Sequence, residues 1–522
     1  MAIRFRPDDN NNGGNNNNNS NRGGGGGGRN NSAIIMAIVM FAFRYPKIGI
    51  PLIIVGGLAF FFLGGGSGAT TNDNSPDIYN MGCEISQEKY DESKVFAALS
   101  SSSSKYSIPA KVSLRQYAPR PLNQGVQGSC VGWASAYAAR TILESASTGV
   151  DPNSTAFSPS FLYNQIGIKG CQGAYTGEAL EHMKQKGLLQ FSKFAYNENS
   201  CSQKPSQAQL QEATRYKIKG YTRLTKTGRN YDVDLEAVKQ NIAQGAPVII
   251  AAKVPHSFQD MMGKKVWKAT SSEKRNVNNL GGHAMCLIGY DDTKKQFEIQ
   301  NSWGTQWGDK GFVFVSYADF KIFCREAYGI FPHQKAKTAS ATDFAIECGL
   351  YDVATGATLN LRNVRANLFE TTTPIRIGTE LKIEITNSLE CFTYVFSKEA
   401  DNGNQQGNAL KIFPPSDKYS SYMGIVGTRL FPRNGKFFAD DEGTRDFMAI
   451  VYSKNELNPD EIRQKIDNAG KGNFYDNVMS AVGNRAFQNL NYNNKSGNLV
   501  SFKQSANAKQ DVAVVVIALD KK

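Results

Sequence analysis

A cysteine stands at a place in this sequence where a reactive thiol could be positioned. Cys130 follows the glycine-rich stretch NQGVQGS and begins a run whose apolar residues recur at helical spacing. The N–H groups and the dipole at the start of a helix favour a thiolate, as does a nearby imidazolium. A buried and inert thiol is the other interpretation of a free cysteine. If Cys130 is a nucleophile, the rest of the chain has to supply its partners.

Two later blocks supply a base and a group that could orient it. Among the histidines, His283 lies in NLGGHAMCLIGYDD, where two glycines lead into an apolar strand. Asn301 follows another predicted strand in FEIQNSWGTQWGDKGFVFV, with Trp303 beside it. A cysteine nucleophile needs a base within reach and a third group that orients the base. We therefore predict that Cys130, His283 and Asn301 form a catalytic triad.

The blocks NQGVQGSCVGWA, GGHAMCLIGY and NSWGTQWGDKGF resemble the three catalytic blocks of papain-like cysteine peptidases of family C1, in the same chain order. The resemblance covers residues 108–332. It implies an α+β papain-like fold with two lobes, one helical and one resembling a β-barrel. It also implies hydrolysis of a peptide or protein substrate through a thioester, with no cofactor and no metal.

The resemblance implies a role for each residue of the site. Cys130 would be the nucleophile and His283 the general base and later the acid, while Asn301 would hold the imidazole. Gln124 and the backbone N–H of Cys130 would form the oxyanion hole, where each donor is worth about 3–4 kcal/mol. Thr176, Ala251, Gly281 and Ala284 would line the S2 pocket, and their small size implies an apolar P2 residue. The residues expected to contact the substrate are Gly128, Gly173, Ala174, Thr176, Ala251, Gly281, Gly282, Ala284 and Trp303.

The cysteine pattern departs in part from that of the family. Gln127 stands where relatives have a cysteine, so one family disulfide is absent. The resemblance implies a bridge between Cys171 and Cys201, with two free thiols as the alternative. Family members are commonly made with a folded inhibitory propeptide, and residues 67–107 look too short and too polar to form one.

Composition and charge exclude other functions. The chain has 59 basic and 46 acidic residues, a net charge of +13, but no basic stripe with interleaved aromatic residues. A nucleic-acid partner is therefore not expected. The absence of HExxH and CxxC patterns argues against a zinc enzyme.

The first part of the chain has the composition of a tail followed by a membrane segment. Residues 1–32, rich in Asn, Gly, Ser and Arg, predict a disordered tail. Residues 33–66 are expected to enter a membrane, with a span at about 48–66 that approaches the ~20 apolar residues a spanning helix needs. Basic residues precede this span and acidic residues follow it. The positive-inside rule then predicts a single pass through a bacterial inner membrane, with a cytoplasmic tail and residues 67–522 outside.

Beyond a polar linker at residues 67–107, two folded regions are predicted. Residues 108–335 would form the peptidase domain. Residues 340–522 would form a mainly β sandwich domain, because TELKIEITNSLECFTYVFSK, DFMAIVYSK and DVAVVVIALD have strand composition. Part of this accessory domain resembles a bacterial β-sandwich domain of unknown function, which implies a protein or envelope partner. A structural spacer is the alternative.

The sequence thus predicts a membrane-anchored cysteine peptidase. Two other functions stay open. One is a non-catalytic envelope receptor or scaffold on a peptidase fold. The other is a related acyl-transfer enzyme of the deamidase or transglutaminase type, which would use the same thioester chemistry.

Overall fold

The computed structural model describes most of the chain beyond residue 78 and one short stretch before it. The described residues are 3–6, 79–95, 98, 108–225, 232–331, 343–401, 404–433, 435–487, 490–494 and 496–522. The predicted membrane segment at 33–66 and nearly all of the predicted tail lie outside them. In the part of the chain that is described, no helix is both long and apolar enough to cross a membrane.

One buried helical run forms the centre of the helical lobe. It begins as α-helix at Cys130–Gly132, continues as π-helix over Trp133–Arg140 and returns to α-helix over Thr141–Thr148. The run can be buried on almost all sides because it is rich in alanine. Gly149 ends it in the left-handed conformation, with φ of 72°. The other helices and turns of this lobe are Arg115–Tyr117, Pro152–Thr155, Pro159–Ile166, Thr176–Gln185, Phe191–Lys193, Gln207–Ala213 and Thr214–Tyr216.

An eight-stranded sheet forms the other lobe. Its strand order is Gly220–Arg223, Cys324–Phe331, Val248–Val254, Gly281–Asp291, Gln296–Gln300, Phe312–Ser316 and Val266–Trp267, with Lys111–Ser113 also paired to Gly281–Asp291. The central strand is buried from His283 onward. Helices Leu235–Ala243, His256–Gln259, Ser271–Arg275, Val277–Asn279 and Tyr317–Phe323 connect these strands. A helical lobe beside a sheet lobe confirms the predicted α+β class.

The accessory region consists of two seven-stranded sheets that share one apolar core, to which Ile383 of the first sheet and Ile450 of the second both belong. The first sheet contains Arg4–Arg6, Asp343–Asp352, Ala357–Thr358, Glu380–Asn387, Gly427–Phe431, Lys436–Phe438 and Val500–Ser505. The second contains Leu361–Arg365, Leu368–Thr371, Cys391–Asp401, Asn404–Phe413, Tyr422–Met423, Arg445–Ser453 and Val512–Asp520. Helices Pro459–Asn468 and Phe474–Val482 and the turn Gly483–Arg485 follow the strand Arg445–Ser453. The prediction of a β-rich region is confirmed.

The disorder predicted for residues 1–32 is wrong at residues 3–6. Arg4–Arg6 pairs antiparallel with Lys436–Phe438, and Ile3 has no exposed surface. Composition failed here because two apolar side chains, Ile3 and Phe5, are enough to dock a short strand on an existing sheet.

Residues 79–95 likewise differ from the polar linker predicted for 67–107. They contain the strand Cys83–Glu84, which runs parallel to Ala174–Tyr175, and the helix Gln87–Glu92. Val95 then bridges the peptidase sheet and the accessory region. The linker prediction was wrong here because the docking of this stretch depends on a few buried side chains and not on its average polarity.

Candidate active site

Cys130 lies at the first residue of the central helical run and is fully buried. Its Sγ atom accepts a hydrogen bond from Ala284 N at 3.4 Å. The thiol therefore lies directly against the strand that carries His283. The preceding turn is closed by Ser129 N, which donates to Gln127 O at 2.8 Å.

Neighbouring strands bring His283 and Asn301 together. Asn301 directly follows the strand Gln296–Gln300, which is antiparallel to the strand of His283. His283 Nε2 and Asn301 Oδ1 are 2.7 Å apart. Because an amide oxygen only accepts, Nε2 is assigned the hydrogen and Nδ1 is left as the acceptor. Nδ1 has no hydrogen-bond partner among the described residues, so the predicted bond between the thiol of Cys130 and the imidazole of His283 is not formed in this state.

Trp303 covers this hydrogen-bonded pair. Its indole stacks on the His283 ring with the ring centroids 4.4 Å apart and the planes at 24°. The indole is almost fully buried and packs edge-on against Trp307 and Phe258. It therefore limits the access of water to the bond between His283 and Asn301.

Gln124 is held as a hydrogen-bond donor. Its Oε1 accepts from Ser302 Oγ at 2.6 Å, and its Nε2 donates to Gln127 O and to Asn80 O, each at 3.0 Å. Ser302 thus fixes which way the amide of Gln124 points. Sequence reasoning missed this positioning residue, and its only signal was its place inside the NSWG block.

The cleft beside Cys130 is filled by residues 79–86, which we call the occluding segment. Asn80 O accepts from Gln124 Nε2 and, at 3.2 Å, from Trp303 Nε1. The Tyr79 ring stacks on Trp303 at 4.8 Å. Further along, Gly82 O accepts from Ala174 N at 2.9 Å. A peptide backbone of the chain itself therefore occupies the place expected for a substrate.

The glycines expected to contact a substrate instead face the occluding segment. A Cβ added at Gly282 would lie 2.1 Å from Cys83 O, and one at Gly173 would lie 2.7 Å from Gly82 O. A Cβ at Gly128 would lie 3.0 Å from Met81 O, and one at Gly281 would lie 2.7 Å from Cε, the flexible end of the Met81 side chain. At Gly173 and Gly282 the approach to a backbone oxygen is close enough that only glycine fits.

Cys83 lies in the part of the cleft where the S2 pocket was expected. Its Sγ is 3.5 Å from Thr176 Oγ1. Ala251 and Ala284, which were expected to line this pocket, are direct cross-strand partners and share one face of the sheet. The structure therefore brings together Ala251 and Ala284 of the residues assigned to the pocket.

A buried carboxyl group lies beside this pocket. Glu326 is the cross-strand partner of Ala251, and its Oε1 accepts from Ser86 N at 3.4 Å. Burial raises the pKa of Glu326 to about 8, although the hydrogen bonds from Ser86 and Thr176 oppose the shift. The pocket is thus less apolar than the sequence predicted. Residue 326 carried no signal in the sequence because only strand register places it next to residue 251.

Burial keeps both the thiol and the imidazole neutral in this occluded state. It raises the pKa of Cys130 to about 12, against the hydrogen bond from the Ala284 backbone. It lowers the pKa of His283 to about 4, against the hydrogen bond with Asn301. In the occluded cleft, lost solvation thus outweighs the backbone N–H groups at the helix start, which favour the thiolate.

The eight cysteines divide into one disulfide pair and six free thiols. Cys171 and Cys201 form a disulfide across a separation of 30 residues, and the other thiols, including Cys130 and Cys286, are free and buried. The described residues contain no group of three or more His, Cys, Asp or Glu placed to hold a metal ion.

Comparisons with known proteins find similar sequences among cysteine peptidases. Residues 108–328 match the model of the papain family cysteine proteases. The chain is 27% identical over 207 residues to an uncharacterised peptidase C1-like protein of Acanthamoeba polyphaga mimivirus, covering 38% of this chain and 64% of that protein. It is 28% identical over 218 residues to cathepsin K of Gallus gallus, covering 40% and 59%. The chain thus spans less than two thirds of the length of these relatives.

Among solved structures, xylellain, a cysteine protease from Xylella fastidiosa, is similar with 22% identity and a TM-score of 0.40, covering 48% of this chain and 95% of that one. The family and sequence matches support a cysteine-type peptidase, a hydrolase, for residues 108–328.

Proposed function

We propose that this chain, whose residues 108–328 match the papain family, is a cysteine peptidase held latent by its own occluding segment. Cys130 is the nucleophile, His283 the base and acid, Asn301 orients the imidazole and Gln124 donates to the oxyanion. One observation carries the proposal: the peptide carbonyl of Asn80 accepts a hydrogen bond of 3.0 Å from Gln124 Nε2, the predicted oxyanion donor. A donor held in this way beside a thiol is suited to acyl transfer.

In the open cleft, Nδ1 of His283 takes the proton from Cys130 Sγ, and the thiolate bonds to the carbonyl carbon of the substrate. The carbonyl electron pair moves onto oxygen, where Gln124 Nε2 and the backbone N–H of Cys130 stabilise the charge. The imidazolium protonates the amide nitrogen, which leaves as an amine and a thioester remains. Water, deprotonated by His283, then cleaves the thioester and releases the acid.

The direction of the occluding segment supports inhibition rather than self-cleavage. In a substrate, the leaving amine lies on the C-terminal side of the scissile carbonyl and must meet His283. In the occluding segment, Tyr79 on the N-terminal side of Asn80 lies against the indole that stacks on His283. The C-terminal side leads away to Cys83, which is paired with Ala174. A substrate would therefore run the opposite way.

The disulfide supports a location outside the cytoplasm for the peptidase region, because disulfides form and persist in oxidising compartments. We propose that residues 48–66 attach the chain to a bacterial inner membrane, and that the substrate is a peptide or protein of the envelope. Residues 340–522 would bind a protein or envelope partner.

The proposal is tested by opening the cleft. We expect a variant with residues 79–86 replaced by Gly and Ser to cleave internally quenched peptides faster than the unchanged full chain does. Adding Cys130→Ala should abolish this cleavage. The matched control, Cys286→Ala, should leave the rate of cleavage unchanged. Cys286 lies buried on the strand of His283 but takes no part in the proposed mechanism.

A folded, opened variant that cleaves no peptide and leaves Cys130 unmodified by a thiol-directed epoxide would contradict the proposal. Such a result would favour the non-catalytic receptor. Transfer of the acyl group to an added amine in preference to water would favour the acyl-transfer enzyme.

A further inference from the structure

The first sheet of the accessory region is extended by a strand from the other end of the chain. Arg4–Arg6 pairs antiparallel with Lys436–Phe438, with Phe5 opposite Phe437. The preceding residue, Ile3, is fully buried in the core of the accessory region. Its carbonyl accepts a hydrogen bond from Ser397 Oγ at 3.0 Å, a contact with the second sheet.

Phe5 occupies a place shaped for an aromatic ring. The ring lies edge-on to Tyr419 at 5.5 Å and to Phe437 at 6.3 Å. Gly435 lies beneath it with φ of 147°, and a Cβ at that position would be 2.4 Å from the ring. Only glycine therefore leaves room for the ring of Phe5.

The two arginines of the strand find matched partners. Arg4 Nε lies 3.3 Å from Asp440 Oδ2, and Arg4 Nη2 lies 3.6 Å from Glu442 Oε1. The guanidinium of Arg6 lies 4.4 Å from the centroid of the Phe438 ring. Backbone pairing with side-chain pockets at alternate residues is the usual form of recognition by strand addition.

We propose that the edge formed by Lys436–Phe438 is a binding site for a short extended segment and that its occupant is Ile3–Arg6 of the same chain. We call it the edge site. Tyr419, which contacts Phe5, is also bridged by the backbone of Val95. The docked strand and the stretch that follows the occluding segment are thus held at one place on the accessory region. The strand seated at this edge in the structure, Arg4–Arg6, belongs to the same chain.

The inference changes the expected membrane topology. If residues 3–6 pair with the accessory region of their own chain, both flanks of residues 33–66 lie on one side of any membrane. The positive-inside rule instead predicts one pass and a cytoplasmic tail, so the two expectations exclude each other.

Paired cysteines test the occupant. We expect the full chain carrying Arg6→Cys and Lys436→Cys to form an intramolecular disulfide, because the two positions are direct partners in the ladder. The control pairs Arg6→Cys with Lys503→Cys, whose side chain is 70% exposed on a strand that does not pair with residues 4–6. Mass mapping without reductant identifies the bridge. No bridge above the control level would overturn the proposal, and so would a heterodimer formed on mixing the two single variants.

A peptide test probes the recognition itself. A fluorescent peptide of sequence AIRFRPD should bind a chain lacking residues 1–6 at least about tenfold more tightly than the full chain, whose tethered strand competes at an effective concentration of about 1 mM. The same peptide carrying Ile3→Asp and Phe5→Asp should not bind. Equal binding of the two peptides to the chain lacking residues 1–6 would contradict the proposal. Equal binding of the unchanged peptide to the shortened chain and to the full chain would contradict it as well.

Membrane sidedness gives a third measurement. In sealed vesicles from cells that express the chain, Arg6→Cys and Lys503→Cys should react with a membrane-impermeant maleimide to the same extent. Reaction of one and protection of the other until lysis would overturn the proposal. None of these readouts depends on peptidase activity.

Discussion

Gly82 is the residue of the occluding segment that tolerates a side chain least. Its φ is 153°, a conformation that L residues rarely adopt. A Cβ added there would lie 2.2 Å from Gly128 O and 2.5 Å from Gly128 C. These are backbone atoms of the turn that positions Cys130, so they cannot move aside without disturbing the nucleophile. We therefore expect Gly82→Ala to displace the occluding segment and to activate the enzyme.

The size of the effect follows from two costs. Holding a non-glycine residue in this backbone conformation costs about 1–3 kcal/mol, and forcing a methyl group into a filled space costs about 1–3 kcal/mol. A combined cost of about 3 kcal/mol would lower the ratio of occluded to open cleft by about 150-fold, since each 1.4 kcal/mol is a factor of ten. The initial rate should rise by up to that factor, until the open form predominates.

The assay compares initial rates on a quenched fluorescent peptide at equal concentrations of full-length protein. Gly470→Ala is the matched control, because Gly470 also has a positive φ, 62°, but a Cβ there meets nothing within 4 Å. It should leave the rate unchanged, and Gly82→Ala combined with Cys130→Ala should be inactive. An unchanged rate for Gly82→Ala, with Cys130 labelled by an epoxide as slowly as in the parent chain, would refute the claim that this segment controls access.

Three other groups of the peptidase region give measurable expectations. Iodoacetamide should modify Cys130 slowly in the parent chain and rapidly in Gly82→Ala, as followed by mass mapping, while Cys286 stays unmodified in both. The folded state holds a proton on Glu326 between its ordinary pKa and about 8. Stability should therefore fall as pH rises through this window, by up to about 5 kcal/mol, and Glu326→Gln should flatten that slope in denaturant titrations. Cys171→Ser should lower the free energy of unfolding by about 3–4 kcal/mol, and no loss in non-reducing conditions would show that the bridge is not formed.

The grouping of the catalytic candidates could be predicted because each is marked by its covalent neighbours. Cys130 follows a glycine turn and starts a helix, and His283 and Asn301 stand at the ends of apolar strands. Helix starts and strand ends are local properties that a pattern of residue types reveals. The α+β class and the strand-rich composition of residues 340–522 were predictable for the same reason. In contrast, Ser302 and Glu326 act through contacts that depend on distant strands, and no local pattern marks them.

The sequence by itself thus determined which side chains could carry out thiol chemistry and which elements would present them. Only the tertiary structure decided the state of that site. The stretch YNMGCEIS is short and shows no periodicity, and it docks because the glycines at 128, 173 and 282 let two backbones approach closely. The docked backbone excludes water, so the pKa of Cys130 rises although the helix start alone would lower it. Likewise, IRFR becomes a strand only because a sheet edge formed more than 400 residues later offers it hydrogen bonds and room for its ring. Such complementarity between distant backbones depends on three-dimensional register, which a linear pattern does not encode.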